Sequence, residues 1–377
     1  MLTINGRMRL QRVRWYCPHE GTETPIDLLL DHTEATISVG VREMATRLNQ
    51  DASSFAKAAA NLARTAHITV SKETLRQLVE AEGETVLKSM RLGVLMPDWT
   101  AEDCHTEQGA TRLYLGCDGV KVPLVTDTEK KKRREKIREK RKRRGRKCRP
   151  LPRAKSGADN AYKEFKVGYL YDEQKEHRLV GVTAGNHEAA GRMLRRMSDQ
   201  VQFLQADERV ALIDGAPWIR NQIEFHGLTD QIGLDFYHLR DYAQKTRRAV
   251  FGEESEEGKQ WLDELMHTFK HEGYDAAWDR LTAWSKPLRG SKRKAAKRLL
   301  QYVAERASMI RYPEFRRRHW QIGSGPTEAE CKTTTHRVKG NGRRWDSSHA
   351  EAMMALAALD DSGMWDQHWT TLDPQRN

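Results

Sequence analysis

Apolar positions change period along this chain, and each change marks an element. From Arg7 to Tyr16 basic or polar residues alternate with Met8, Leu10, Val13 and Trp15, the pattern of a half-exposed strand, so residues 1–37 read as a small β element. From Ser38 the period becomes helical, with Val41, Met44, Ala45 and Leu48 on one face. A second helix, capped near Asp51 or Ser53, continues through Phe55, Ala58, Ala59 and Leu62. After a turn over residues 64–70, Ser71 caps a third, with Leu75, Leu78 and Val79 inward and Lys72, Arg76 and Gln77 outward. Residues 38–95 are therefore either a helix-turn-helix that would lay its third helix in a DNA groove, or an ordinary three-helix packing unit.

Met96-Pro97 and the polar stretch 100–109 read as a linker, after which strand signals take over. Residues 112–115 lead to Asp118, and the chain turns back through Val120, Val122, Leu124 and Val125. Phe165, Val167, Tyr169 and Tyr171 then alternate, followed by a strand over 177–183 and a helix over 189–201. The apolar run 209–213 stops at Asp214-Gly215, a helix follows over 217–225, and a short strand over 232–237 ends at His238. The order is mixed α/β: three antiparallel strands, a crossover helix, then further strands. In residues 251–315 Trp261, Leu262, Leu265, Met266 and Phe269, then Tyr274, Ala277, Trp278, Leu281 and Trp284, recur at three and four, which predicts a helical insertion with its aromatics in a core. The core (110–250) resumes over 316–360, where a helix runs from the turn at 322–326 to about Val338. Asp346 or Ser347 caps another carrying Ala350, Met353, Met354, Ala357 and Ala358, and residues 361–377 form a tail.

Charge alters this picture at one place. The chain has 377 residues, 38% hydrophobic and 31% charged, with a net charge of +12. Between residues 130 and 147 fourteen of eighteen residues are Lys or Arg and two are acidic, while the remaining chain holds 51 bases and 51 acids. The excess is thus local to a basic arm within 128–159, including Arg133, Arg134, Arg143 and Arg144. It reads as a solvated segment or as a polyanion contact, with nucleic acid the favoured partner, and as exposed and poorly packed. Arg316, Arg317, Arg318, His319 and Trp320, the Lys292 to Arg298 face, and the glycine-rich basic turn with Arg343 and Arg344 are further nucleic-acid candidates. No run approaches eighteen apolar residues and the N-terminus lacks a signal-peptide core, so a cytoplasmic chain without a membrane partner is expected. Cys17, Cys104, Cys117, Cys148 and Cys331 are scattered without a Cys-x-x-Cys pair, which fits reduced thiols.

Candidate chemistry lies in three acids, 96 and 114 residues apart. Asp118 and Asp214 each end an apolar run and precede a glycine. Glu328 falls in the first turn of the helix opened by Ile322-Gly323-Ser324-Gly325-Pro326-Thr327. Such a cluster is tolerable mainly where cations neutralise it. The order strand-Asp, strand-Asp, helix-Glu, with Ile213-Asp214-Gly215-Ala216-Pro217-Trp218-Ile219, Gly323-Ser324-Gly325 before Glu328, Lys339-Gly340 and Trp345, resembles the Kra-type family of insertion-sequence transposases over most of the chain. The resemblance implies an RNase H-like catalytic core and a DNA transposase that cuts element ends and transfers the 3' hydroxyl to target DNA. It also implies two Mg2+ ions, for which Mn2+ can substitute, with Asp118 bridging them, Asp214 holding one and Glu328 the other. Terminal inverted repeats and target DNA would be the partners of a homo-oligomer assembled on DNA, in a bacterial or archaeal cytoplasm at the nucleoid. Glu330 is the register alternative to Glu328. His238 could approach the scissile phosphate or a metal, or be a buried hydrogen-bonded histidine; Lys332 could contact phosphate or pair with Glu328. Relatives carry a cysteine-paired zinc ribbon near the start, but Cys17 and His19 fall two ligands short of one here. An RNase H-like nuclease or resolvase, and a non-catalytic DNA-binding regulator, are the competing readings.

Overall fold

The structure, a computed structural model, describes residues 1–372 other than 10, 12, 25–35, 146–149, 152, 154 and 155. Two short hairpins open the chain, β1 (Leu2–Thr3) with β2 (Gly6–Arg7) and β3 (Trp15–Cys17) with β4 (Gly21–Glu23). The alternating stretch is therefore not one strand. Val13, Trp15 and Tyr16 are exposed, so no buried face holds the alternation in register; Leu10 and Arg12 lie outside the described residues. Helices α1 (Val39–Asp51), α2 (Phe55–Ala66) and α3 (Lys72–Leu92) follow, each opened by a serine (Ser38, Ser54, Ser71) whose hydroxyl accepts a backbone N–H of the first turn. Val41, Ala45, Ala58, Leu62, Leu75 and Val79 from the three helices are buried. The third continues to Gly93, whose left-handed φ of 67° ends it.

The sheet is built from β5 (Arg112–Pro123), β6 (Tyr162–Asp172), β7 (Arg178–Thr183), β8 (Glu208–Ile213) and β9 (Ile232–Leu234), with α4 (Asp127–Arg143) after β5, α5 (His187–Gln200) before β8 and α6 (Pro217–Phe225) after it. Its order is β7-β6-β5-β8-β9; β5, β6 and β7 are antiparallel, and β8 and β9 run parallel to β5. Counted along the chain the order is third, second, first, fourth, fifth. Asp118-Gly119 does not end a strand: the ladder with β6 is unbroken from Leu113 opposite Asp172 to Pro123 opposite Tyr162. A long β6, buried from Phe165 to Asp172, holds the Asp-Gly pair extended where its local preference is a turn.

The basic segment is also more ordered than its charge suggests. Thr126 and Glu129 form a reciprocal capping box that starts α4, and Lys140 to Arg143 complement the helix dipole at its far end. Glu129 pairs with Arg344 and Lys130 reaches Asp346 at 2.5 Å, so the helix is tied down at its first turn. None of its residues is buried, as like charges require; Arg146 and Lys147 lie outside the described residues.

After β9 the chain is helical: α7 (Phe236–Phe251), α8 (Glu256–His271), α9 (Tyr274–Ser285), α10 (Gly290–Ala304), α11 (Tyr312–Arg317), α12 (Gly325–Lys339), α13 (Ser347–Asp361) and α14 (Trp365–Thr371). The insertion thus begins at Phe236, because Asp235 caps a helix there and β9 stops at Leu234. Its aromatics pack on one another, Trp261 on Trp284 and Tyr242 on Tyr302. Trp320 is 4% exposed, against Phe315 and beneath Arg318, and offers no face on which a base could stack. Helices cover both faces of the sheet: Gly168, opposite Cys117 in the ladder, faces Leu194 of α5, whereas Gly116 on the other face meets Thr327 of α12. Four of the cysteines, Cys17, Cys104, Cys117 and Cys331, are free thiols; Cys148 lies outside the described residues. Among the described residues no helix is long and apolar enough to cross a membrane.

Candidate active site

Pairing of β5 with the parallel β8 sets Leu115 opposite Ala211. Three residues further along each chain come Asp118, still within β5, and Asp214, the first residue past β8, so both acids lie just beyond the last paired residues of the two parallel strands. Each carboxylate is held by its own turn or strand: Asp118 accepts the Gly119 N–H at 2.6 Å and Asp214 the Ala216 N–H at 2.8 Å. Gly215 follows with φ 84°, where a side chain would also strike Arg306, which donates to the Gly215 carbonyl at 3.2 Å.

The third acid arrives through a close helix–strand contact. A Cβ on Gly116 would lie 1.8 Å from Thr327 Oγ1, so the first turn of α12 sits directly on β5 only because that position is glycine. Asp118 is two residues on, on the same strand face, and Glu328 is the next residue after Thr327. The electrostatics agree with this proximity. Burial raises the Asp118 carboxyl above the usual range, the Gly119 N–H opposes it, and among the charges Asp214 and Glu328 add to the rise while His238 counters it. Glu328 Oε1 is 3.4 Å from His238 Nε2, and both side chains are partly exposed.

His238 does not follow a strand; it is in the first turn of α7, its backbone N–H donating to Asp235 at 2.7 Å. Asp235, which the sequence did not single out, is 1% exposed and also accepts both the backbone N–H and the hydroxyl of Ser324. One buried carboxylate thereby ties the start of the helical insertion to the turn that launches α12. Its signal was local, an Asp three residues before His238 in a cap position, but Phe236 and Tyr237 read as strand. Lys332 is exposed, and Glu328 turns to His238 instead. Glu330 is 6% exposed, accepts the Thr334 hydroxyl at 2.7 Å and neighbours Asp361.

Basic residues from three separate stretches meet in two adjoining grooves. Arg76 and Gln77 on α3 line one of about 560 Å3 with Arg133 and Arg134 on α4. The other, about 450 Å3, lies between the start of α2, α4 and the turn before α13, lined by Arg133, Arg337, Arg343, Arg344 and Trp345. Arg76 is not free for a groove contact, since Glu73 and Glu80 both hold it. Lys72 is exposed at the start of α3, and Arg143 and Arg144 at the end of α4. Arg316 and Arg317 stand apart on α11, Arg316 donating to His271 at 2.9 Å. A different trio, Cys104, Asp172 and His177, places one sulfur, one oxygen and one nitrogen within 4.8 Å of one another, and Asp172 accepts from His177 at 3.0 Å. Asp172 pairs with Leu113, five residues and about 17 Å along β5 from Asp118, so this trio belongs to the other end of the sheet.

No family model and no curated protein matches the chain. Among solved structures, the Drosophila P element transposase strand transfer complex aligns over 93% of this chain and 85% of that chain, at 10% identity and a TM-score of 0.34. The sheet topology and the acids, not this distant likeness, carry the functional reading.

Proposed function

We propose that the protein is a DNA transposase of the Kra-type insertion-sequence family with an RNase H-like core. The observation that carries the reading is that the Asp118 carboxyl feels the charges of Asp214 and Glu328, acids from segments about a hundred residues apart, near the rim where the pairing of the parallel strands β5 and β8 ends. In α/β sheets that rim is where ligands bind. The strand order of three antiparallel strands followed by two parallel ones is also what an RNase H-like sheet requires. The donor set fits divalent cations: hard carboxylate oxygens, one of them, Asp118, pushed up first by burial and then by the charges of Asp214 and Glu328, a state a bound cation would relieve. Asp118, Asp214 and Glu328 would hold two Mg2+ ions, Mn2+ substituting. Such ions, when bound, make an attacking oxygen reactive and stabilise the leaving oxygen of a phosphodiester.

The chain's own residues have defined tasks in this reading. The Gly119 and Ala216 N–H groups fix the two aspartates, Asp235 and Ser324 tie down the turn that launches α12 and its Glu328, and His238, beside Glu328, can hold or pass a proton near the scissile phosphate. The basic grooves would carry element ends and target DNA in an assembly of several copies.

The test is Mg2+-dependent nicking of labelled duplex from the DNA flanking the gene, with binding measured in Ca2+. Glu328→Gln keeps shape but removes the charge that holds an ion, so nicking is expected to fall by several orders of magnitude with binding retained. Wild type that binds these ends and never cuts them would replace this reading with that of a DNA-binding regulator.

A further inference from the structure

The groove beside α4 contains a buried cation that the proposed metal chemistry does not use. Arg337, on α12, is 3% exposed, its guanidinium between the rings of Phe55 and Trp345 at 4.8 and 5.1 Å from their centres. It donates to the backbone and side-chain oxygens of Asn49, both at 3.0 Å. No carboxylate is its partner among the described residues. Burial, with the charge of Arg343 adding to it, lowers its pKa to about 10. Buried charges are normally paired, yet around this one Arg133, Arg343 and Arg344 line the same cavity, and the cavity's two acids, Glu80 and Asp346, are held by Arg76 and Lys130. Arg344 has Glu129, but Arg343 directs its hydrogen bonds to the carbonyls of His336 and Arg337, so the group stays net positive. Trp345 lines the cavity too, and its indole N–H has no acceptor among the described residues.

We propose that this cavity seats a backbone phosphate of the DNA that runs to the three acids, with Arg337 as its fixed cationic floor. The proposal rests on the transposase reading for the identity of the polymer. A cavity of about 450 Å3 holds a phosphate with its attached sugar, within the usual range for such pockets. Arginine stacked on aromatic rings keeps its donor fork oriented before the anion arrives. The cavity's distance from the acids follows from the fold. Trp345 pairs with the end of β5, its carbonyl accepting the Val125 N–H at 2.9 Å. The five residues from Asp118 to Pro123 span about 17 Å of strand. Phosphates wind around the duplex and do not follow its axis, so a gap of this size places the gripped phosphate only a few nucleotides from the scissile one.

Binding of the flanking duplex in Ca2+, followed by fluorescence anisotropy across a salt series, tests this without any need for cutting. Arg337→Met is expected to weaken binding about tenfold or more and to reduce the slope of log affinity against log salt by about one; Arg133→Gln, exposed and harmless to the fold, should reduce the slope in the same way. A scan of single neutral methylphosphonates along each strand should find one position, a few nucleotides from the nick, whose loss of charge weakens wild type but leaves Arg337→Met unchanged, as two changes to one contact must. A purely structural role for Arg337 moves the melting temperature and not that position. If no position is silent in either variant, or Arg337→Met binds as wild type, the cavity does not hold DNA. The same holds if inorganic pyrophosphate raises the melting temperature only when Arg337 is present while DNA affinity is indifferent to it. Wild type that nicks normally in any of these cases leaves the transposase reading standing and removes only the pocket.

Discussion

At the scale of single residues, the two glutamates of α12 show how two positions on one helix part in role. Glu328 is half-buried and faces His238, whereas Glu330 is turned inward, beside Asp361. Burial first, and then the charge and hydrogen bond of Glu330, push the Asp361 carboxyl up to about 8, so this pair keeps a proton at neutral pH. Glu330 therefore acts in packing, and its sequence position two residues from Glu328 could not reveal that, because its partner is about thirty residues away. The linkage has a definite sign. An aspartate in the unfolded chain loses its proton near pH 3.9, and folded Asp361 keeps it to about 8, so the stability it contributes is complete at low pH and declines as pH rises through that window. Asp361→Asn keeps the shape without the titration. The stability of wild type relative to this variant, from urea unfolding at pH 5, 6, 7 and 8, is expected to fall by up to about 1.4 kcal/mol per pH unit. A difference that stays constant across those four values would show that Asp361 titrates normally.

At the scale of elements, the seat of α12 on β5 decides whether the site exists. Gly116→Ala forces a methyl into Thr327, and relief requires the helix to move off the strand, carrying Glu328 away from Asp118. Overpacking of this kind costs about 1 to 3 kcal/mol. The melting temperature should fall by several degrees and nicking should collapse, and because α12 also carries Arg337 into a basic groove, DNA binding in Ca2+ should weaken as well; nicking within a factor of two of wild type would contradict the seat. Much of the element list was legible because its determinants are local. Ser38 and Ser71 cap where their hydroxyls suggest, Pro217 opens α6, and aromatic spacing marks α8 and α9. What was not legible depends on distant partners or on a competing local signal. Asp118-Gly119 stays in its strand because β6 pairs through it. Phe236 and Tyr237 look like strand until Asp235 caps a helix against Ser324. The charge density of residues 130–143 hid a helix that the Thr126 and Glu129 box begins. Of the site, the three acids were readable as candidates, but their common locus needed the β5–β8 register, and Arg337 carried no signal because its neighbours Phe55 and Asn49 lie far off in sequence.

At the scale of the whole molecule, the N-terminal helices are not a module attached to a catalytic body. The first part of α3 carries the exposed Lys72 and Gln77, yet its second half lies on α13 so closely that a Cβ on Gly83 would be 2.8 Å from the Ala352 carbonyl oxygen. Around that contact Val86 and Leu87 are buried, Arg91 pairs with Glu351, and His349 lies 3.4 Å from Glu80. Arg337 adds a second tie, from α12 to Asn49 of α1. Helix α13 is buried nearly all round, from His349 to Leu356 without a gap, and a core helix of that kind cannot lose one neighbour without exposing apolar surface. A chain starting at residue 96 should therefore lose far more than DNA recognition. Relative to full-length protein, its melting temperature is expected to drop by ten degrees or more, or its unfolding to lose cooperativity, with aggregation at micromolar concentration. Full-length protein should instead unfold the three helices and the sheet in one transition. Scanning calorimetry with size-exclusion chromatography separates the cases: a soluble monomer from residue 96 onward that melts within about two degrees of the full chain would mean that the contact between α3 and α13 contributes little, and that the first helices are the separable recognition domain their sequence pattern allows.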